Sequence, residues 1–402
     1  MVRAHSLLYA IYVCLLVSVV LSALLYTAGL YDRLNLYYLT HEKLYTQNRS
    51  LLNFAVANIG NDLDASDAGI DNGYFETRPY GMFKIVTATN YIGNDTIASV
   101  HLVGQYKNDA TCLYLANYTN PLTYSGNVIL KGNKKLPSEL IRQSNTYNSV
   151  SNLTSTGTIS ISDREMPSVS GSLDNFFKAP DVRYIDIGAL EKLNDSLYFN
   201  SFLSETKYIN IEGYDLENVI FKGNFVLRTS DSLNIKKTAI LKDVIVEGPA
   251  LNFEKGFEGN LQIYASSAVT LQDDVVLTYP SVVALSNPTL NKSHLKAGKN
   301  VHILGDVLLY GSPDRALDEN YMEIGEGSEI TGTVYCKGRM LLNGKVNGCV
   351  YTGKFIFKMG ASTYENHLNN VEIDQSKLPG YFLAAPMFDD KIAKYGIVKK
   401  ML

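Results

Sequence analysis

The stretch 322–355, MEIGEGSEITGTVYCKGRMLLNGKVNGCVYTGKF, holds two nearly superimposable units. ITGTVYCKG begins at Ile330 and VNGCVYTG at Val346, each with an apolar residue first, Gly third and Val fifth. Working outward, related copies begin at Leu216 (LENVIFKG), Ile240 (ILKDVIVEG), Phe257 (FEGNLQIYA), Val275 (VVLTYPSVV) and Ile303 (ILGDVLLYG). Gly259, Gly305, Gly332 and Gly348 fill the third place. Successive starts are 24, 17, 18, 28, 27 and 16 residues apart. The two longest intervals contain the loop-like stretches SNPTLNKSHLKAGKN (286–300) and GSPDRALDEN (311–320), which leaves a period of 16–18 and one unexplained interval of 24. Alternation within each copy puts its apolar residues on one face of a strand. A strand-sized unit that cannot bury that face alone, repeated with turns between, predicts a β-solenoid. Glycine recurs where such a coil bends, at backbone angles closed to residues with a Cβ. The rival is a β-sandwich with coincident turn spacing; the similarity of ILKDVIVEG to ILGDVLLYG favours the solenoid. YIDIGAL (184–190) and YINIEG (208–213) are candidate further rungs.

The same stretch resembles the bactofilins, bacterial proteins that polymerise through a right-handed β-helix. Their Ile-x-Gly-x-Val/Ile rung is matched by Ile330, Gly332 and Val334 and by Val346, Gly348 and Val350. The resemblance is clear over about 35 residues and diluted across 216–321. It implies a right-handed β-helix, with end-to-end or lateral association. Aligning the two units sets Cys336 opposite Thr352 and Cys349 opposite Thr333. Positions 333 and 336 differ by three, so the two thiols should face opposite ways, which argues against a disulfide between them. Cys112 and Cys14 have no evident partner in the sequence.

The N-terminus carries a different signal. Between Arg3 and Asp32 there is no formal charge, and Leu7 to Leu30 is a mainly apolar run of 24 residues where about 20 span a bilayer as a helix. A cleaved signal peptide, with Val20 and Ser22 before the cut and a mature start near Ala23, is the alternative. Its apolar core, however, is usually about 7–15 residues. The spanning reading places the amino terminus inside, since Arg3 lies on the short leading side. Leu30, Tyr37, Leu44 and Leu51 recur at seven-residue spacing, predicting one helix from about 6 to 59 that stops at Gly60-Asn61-Asp62. Two helices broken near Gly29 are the other option. FKIVTAT (83–89) and TIASVHLVGQY (96–106) predict a hairpin, with CLYLANY (112–118) and TYSGNVILKG (123–132) as further strands. A spanning helix running into a small sheet is similar to the type IV pilins and pseudopilins over the first 130 residues or so. MVRAHSLLYA lacks the Gly and the Glu of their processing motif.

The expected architecture is therefore mainly β: a transmembrane signal-anchor at 1–30, a helical extension with a small α+β domain and polar linker at 31–175, a right-handed β-helix at 176–375, and a cap or tail at 376–402. In that last part LPGYFLAAPMF is expected to close the open end and DDKIAKYGIVKKML to form a terminal helix or a partner contact. Net charge of −4 and an isoelectric point near 5.9 give nothing for a phosphate backbone to bind, so no nucleic acid partner is expected. No catalytic, cofactor-binding or metal site emerges. Asp273-Asp274, Asp243 and Asp306 are the best carboxylate candidates, but their spacing reads as solvated turns. The six histidines show no HExxH, and no serine lies in GxSxG. GEGSEITG and GNVILKGNKK miss the nucleotide motifs. The sequence thus points to a single-pass protein of the bacterial cytoplasmic membrane, not an enzyme, with its bulk outside. Its expected role is structural or interactive, in a pilus-like or secretion-related assembly, with protein partners or copies of itself. A tethered carbohydrate-binding or carbohydrate-active β-helix is the alternative; the tyrosines read as strand residues more than as a glycan platform.

Overall fold

The apolar run at the N-terminus and the helix formers after it make one unbroken α-helix, Val2–Ala57, closed off by Gly60 at φ +96°. From His5 to Leu39 every side chain is exposed, and within this stretch the helix is long and apolar enough to cross a membrane. The stripe then becomes a packing face: Leu44, Asn48, Leu51, Leu52, Ala55 and Val56 are buried at the three- and four-residue steps of a helix. Asn48 ties that face to its own unit. Its amide donates to Ala88 O (2.8 Å) and its oxygen accepts from the Ser99 hydroxyl (2.6 Å).

In this computed structural model the described residues are 2–61, 63–107, 109–144, 151–171, 173, 182–193, 196–287, 292–311, 320–389 and 393–401. The chain is mainly β, with 51% strand and 17% helix. It divides into two units, residues 1–76 with 87–99, and residues 77–86 with 100–402. The hairpin strands Phe83–Ile92 and Asp95–Gln105 fall where predicted, each shared between the two.

The larger unit is built on ladders of parallel strands, and every repeat found in the sequence lies in them. One ladder aligns Leu277, Ile303, Ile330, Val346, Ile373 and Leu130 across six successive strands. A second aligns Val246, Ile263, Val283, Val307, Val334, Val350 and Leu113. A third aligns Leu251, Val269, Leu295, Met322, Met340 and Phe355. Nearly all of these side chains are completely buried and form one core, each contributing about 1.5–3 kcal/mol by leaving water. Glu258–Leu271, Val276–Asn287, His302–Gly311, Glu329–Leu342, Asn320–Ile324 and Ser293–Ala297 close a ring of six parallel strands. The expected cysteine register holds, with Cys336 beside Thr352 and Cys349 beside Thr333. Cys336 enters the main core and Cys349 a second apolar cluster.

Several expectations are corrected. The odd interval of 24 comes from aligning Leu216; it is Ile220 that pairs with Ile240, and Leu216 bridges to Ile235 on another ladder. The loop-like stretches contain the strands Ser293–Ala297 and Asn320, the first residue of Asn320–Ile324; residues 288–291 and 312–319 lie outside the described residues. The polar stretch 143–162, expected as a linker or exposed β-arms, holds the mostly exposed ladder strands Asn152–Thr156 and Ile159–Ile161; 145–150 lie outside the described residues. Strands between Thr111 and Ile161, grouped by sequence with the small domain, continue the ladders beyond Lys345–Met359 and Glu372–Asp374. The C-terminal stretch, expected as a terminal helix or a partner contact, is not a helix but a strand, Tyr395–Met401, antiparallel to residues 100–105. LPGYFLAAPMF does not close an end: it runs along the side of the stack, meeting Tyr279 through Leu383 and Asp306 through Ala385.

Candidate functional site

The second ladder has an outward side as well as a core side. One residue along from the core column, Leu308, Tyr335, Tyr351, Tyr114 and Lys135 follow one another in register. One residue before the core column lie Asp306, Thr333 and Cys349. An aromatic or branched residue suits such a position because its cross-strand neighbours stack on it, and the Tyr114 and Tyr351 rings lie 6.0 Å apart at 22°. Most of this outward side is covered. Residues 162–171 cross it, held by Tyr335 donating to Pro167 O (2.9 Å) and Tyr114 to Glu165 O (2.8 Å). The 382–388 stretch crosses it too.

Where these coverings part, a cleft of about 500 Å³ opens onto the ladder. Thr333, Tyr351 and Tyr114 form its floor, Lys135 and Asp109 one side, and Tyr106, Pro167, Met387 and Phe388 the walls. Lys107 reaches in with its ammonium 5.6 Å from the Tyr351 ring centroid; Lys135 stands 5.9 Å from that of Tyr114. Such placement over a ring face is attractive by about 0.5–1 kcal/mol where water still reaches the cation. Lys107 also donates to Thr333 Oγ1 (3.3 Å) and contacts Cys349 Sγ. Asp109 Oδ1 accepts from the Thr111 amide and hydroxyl, and its Oδ2 lies 3.5 Å from the Tyr351 hydroxyl. Among the described residues neither lysine has a carboxylate within ion-pair distance. Burial pushes the Cys349 thiol and the Tyr351 phenol upward, so both are neutral near pH 7.

The carboxylates singled out by sequence scatter. Asp273 and Asp274 do sit in an exposed turn, where Asp273 accepts from the Lys299 amide and Asp274 pairs with Lys255. Asp243 pairs with Lys399. Asp306 overturns the solvated-turn reading: it is 1% exposed and accepts from the amides of Thr333 (2.8 Å) and Ala385 (2.7 Å). It fastens the 382–388 stretch to the ladder, and burial raises its pKa. Among the described residues no group of three metal-ligating side chains converges.

Sequence reading missed the cleft because its residues are drawn from six separated places in the chain. One signal was available: Val-Tyr at 334–335 and at 350–351 is the aromatic step of the repeat, and Leu113-Tyr114 copies it. No family model matches the chain, and neither a curated protein nor a solved structure does.

Proposed function

We propose that this is a single-pass membrane protein of the bacterial envelope whose ladder unit is a right-handed β-helix, displayed outside the cytoplasmic membrane as a structural or interaction module. The observation that carries the reading is the helix. Its wholly exposed stretch from His5 to Leu39, apolar from Leu7 to Leu30, passes without a break into the packed stripe 44–56. An anchor that is continuous with a folded unit transmits position and load, whereas a cleavable leader would be joined to it loosely. Arg3 ahead of the span favours an inside amino terminus. The bactofilin-like rungs favour the right-handed coil, and a long exposed stack suits association in an assembly, pilus-like or secretory.

Full-length protein extracted from its own membranes is the material for the test. Resistance to alkaline carbonate, protease access to 60–402 only from outside, and a large complex on a native gel support the reading. Release by carbonate, or a lone monomer on the gel, overturns it.

A further inference from the structure

From the cleft we infer a binding site for an anionic sugar, a function beyond the anchoring and assembly role proposed above. The juxtaposition is of two ammonium groups without carboxylate partners among the described residues, Lys107 and Lys135, with planar polar groups and a ring at the mouth.

Volume comes first. About 500 Å³ lies within the roughly 300–1,000 Å³ common for small-molecule sites. Charge is next. Lys107 and Lys135 flank neighbouring tyrosines; Asp109 is the single acidic lining residue and the buried Asp306 carboxylate also acts on Lys107, which leaves Lys135 as the cation a carboxylate or phosphate would meet first. A charge-assisted hydrogen bond is about twice as strong as a neutral one, which makes the anion the primary determinant. The rest of the lining selects a polyhydroxylated body. The Asp109 carboxylate and Gln105 amide offer planar acceptors and donors to hydroxyl pairs, with Thr333 beyond them. At the mouth Tyr106 is 44% exposed and Phe388 half-buried, giving ring faces for the apolar side of a pyranose. Tyr114 and Tyr351 are too deeply buried, 3% and 5% exposed, to be the stacking surface; they set the floor and position the lysines. The site is preformed: the floor is fixed in register on two parallel strands, and the wall is latched by Asp306 to Ala385.

The source of the anion, uronic acid or sugar phosphate, is separated by the test. Full-length protein in detergent is titrated calorimetrically with tetragalacturonate, with its carboxyl-reduced neutral counterpart, with glucose 6-phosphate and with inorganic phosphate. One site per chain for tetragalacturonate or glucose 6-phosphate, at least tenfold tighter than for the neutral sugar, is the expected result. Lys135→Gln and Tyr106→Ala, both at exposed positions, should each weaken it tenfold or more, while Lys296→Gln on another ladder leaves it unchanged. Saturation by the uronate alone or the phosphate alone supports the site and names its anion. Absence of binding by both, equal binding of the neutral sugar, inorganic phosphate binding as tightly as either, or indifference to Lys135→Gln overturns it. None of these results bears on the native-gel test, so the two readings fail separately.

Discussion

Gly332→Ala is the sharpest test of the ladder geometry. Gly305, Gly332 and Gly348 stand side by side on successive strands with φ of +157°, +147° and +149°. A Cβ on Gly332 would lie 2.1 Å from Gly305 O and 2.8 Å from Gly305 C, both backbone atoms of the neighbouring strand. A side chain could swing away from such a clash; a ladder strand cannot without breaking its pairing. The backbone angle alone costs about 1–3 kcal/mol for a residue with a Cβ. Forcing the strands apart costs about 1–3 kcal/mol more by analogy with overpacked cores. A total near 4 kcal/mol follows. At about 2 °C per kcal/mol for a domain of this size, the midpoint falls by about 8 °C. Gly380→Ala, with open space around its Cβ position and no positive φ, is the control and should melt like the parent. The assay is thermal unfolding of the full-length protein in detergent, followed by circular dichroism. Equal midpoints for Gly332→Ala and Gly380→Ala would refute the close-approach argument.

Three further outcomes follow from burial. Glu247 has its pKa raised to about 7 by burial, against an opposing pull from Arg228. The folded state therefore holds its proton more tightly than the unfolded one, so its contribution is present below about pH 4.5 and lost as pH rises through about 7. Glu247→Gln should gain on the parent by about 3 kcal/mol across that window, read from urea midpoints at pH 5 and pH 8; a constant difference would disprove it. Asp306→Asn keeps one acceptor but leaves a backbone N–H of Thr333 or Ala385 unmatched, costing about 1–3 kcal/mol. Amide exchange at Thr333 or Ala385 should quicken, with unchanged protection at both as the contrary result. Cys112, Cys336 and Cys349 are buried and Cys14 exposed, and burial pushes Cys112 to about 12. A lipid-soluble maleimide should therefore label Cys14 alone until denaturant exposes the rest, and mass spectrometry showing two labelled sites in native protein would contradict the burial.

The repeat was legible because its signal is local and periodic. Apolar, Gly and Val at fixed places state both the strand face and the close approach, and the register of Ile330 with Val346 follows by simple alignment. What failed did so where the face of a strand, not its spacing, carries the information. Asp306 sits in a rung like Asp243, yet one is buried under the 382–388 stretch and the other pairs with Lys399 at a partly exposed edge. Tertiary cover decides between them, and no neighbour in sequence announces it. Gly259 shows a similar limit. It fills the same place as Gly332, but its φ is not positive, and a Cβ there would meet the Phe257 ring at 2.7 Å. Side-chain packing, not backbone approach, keeps that glycine small. The cleft was illegible because Lys107, Lys135, Tyr351 and Phe388 meet only through the fold.

The strands between Thr111 and Ile161 raise the same point for topology. Ile129 pairs with Glu372, and Leu113 with Val350, although well over 200 residues separate each pair. A parallel stack ends in open N–H and C=O groups that invite another chain. Here the end beyond Glu372–Asp374 is extended by strands that precede it in sequence, and the second core column passes through a buried charge near that end. Lys134 follows Leu113 in register, is 1% exposed, and donates its ammonium to Gly132 O (2.8 Å) and Thr156 O (2.6 Å). Burial lowers its pKa, which is the cost of placing a cation where the column expects an aliphatic side chain. Ile159 follows Lys134 in register and packs against the same core, so the column runs one rung past the buried cation. Closing the loop from 113 to 350 gains nothing until the strand at 345–359 exists, because loop entropy must be met before the contact forms. The ladders from Lys207 to Met359 therefore fold first, and the 111–161 strands dock afterwards. Pulse-labelled hydrogen exchange during refolding should show amides of 276–350 protected before those of 113–136, and the reverse order would exclude this sequence of events.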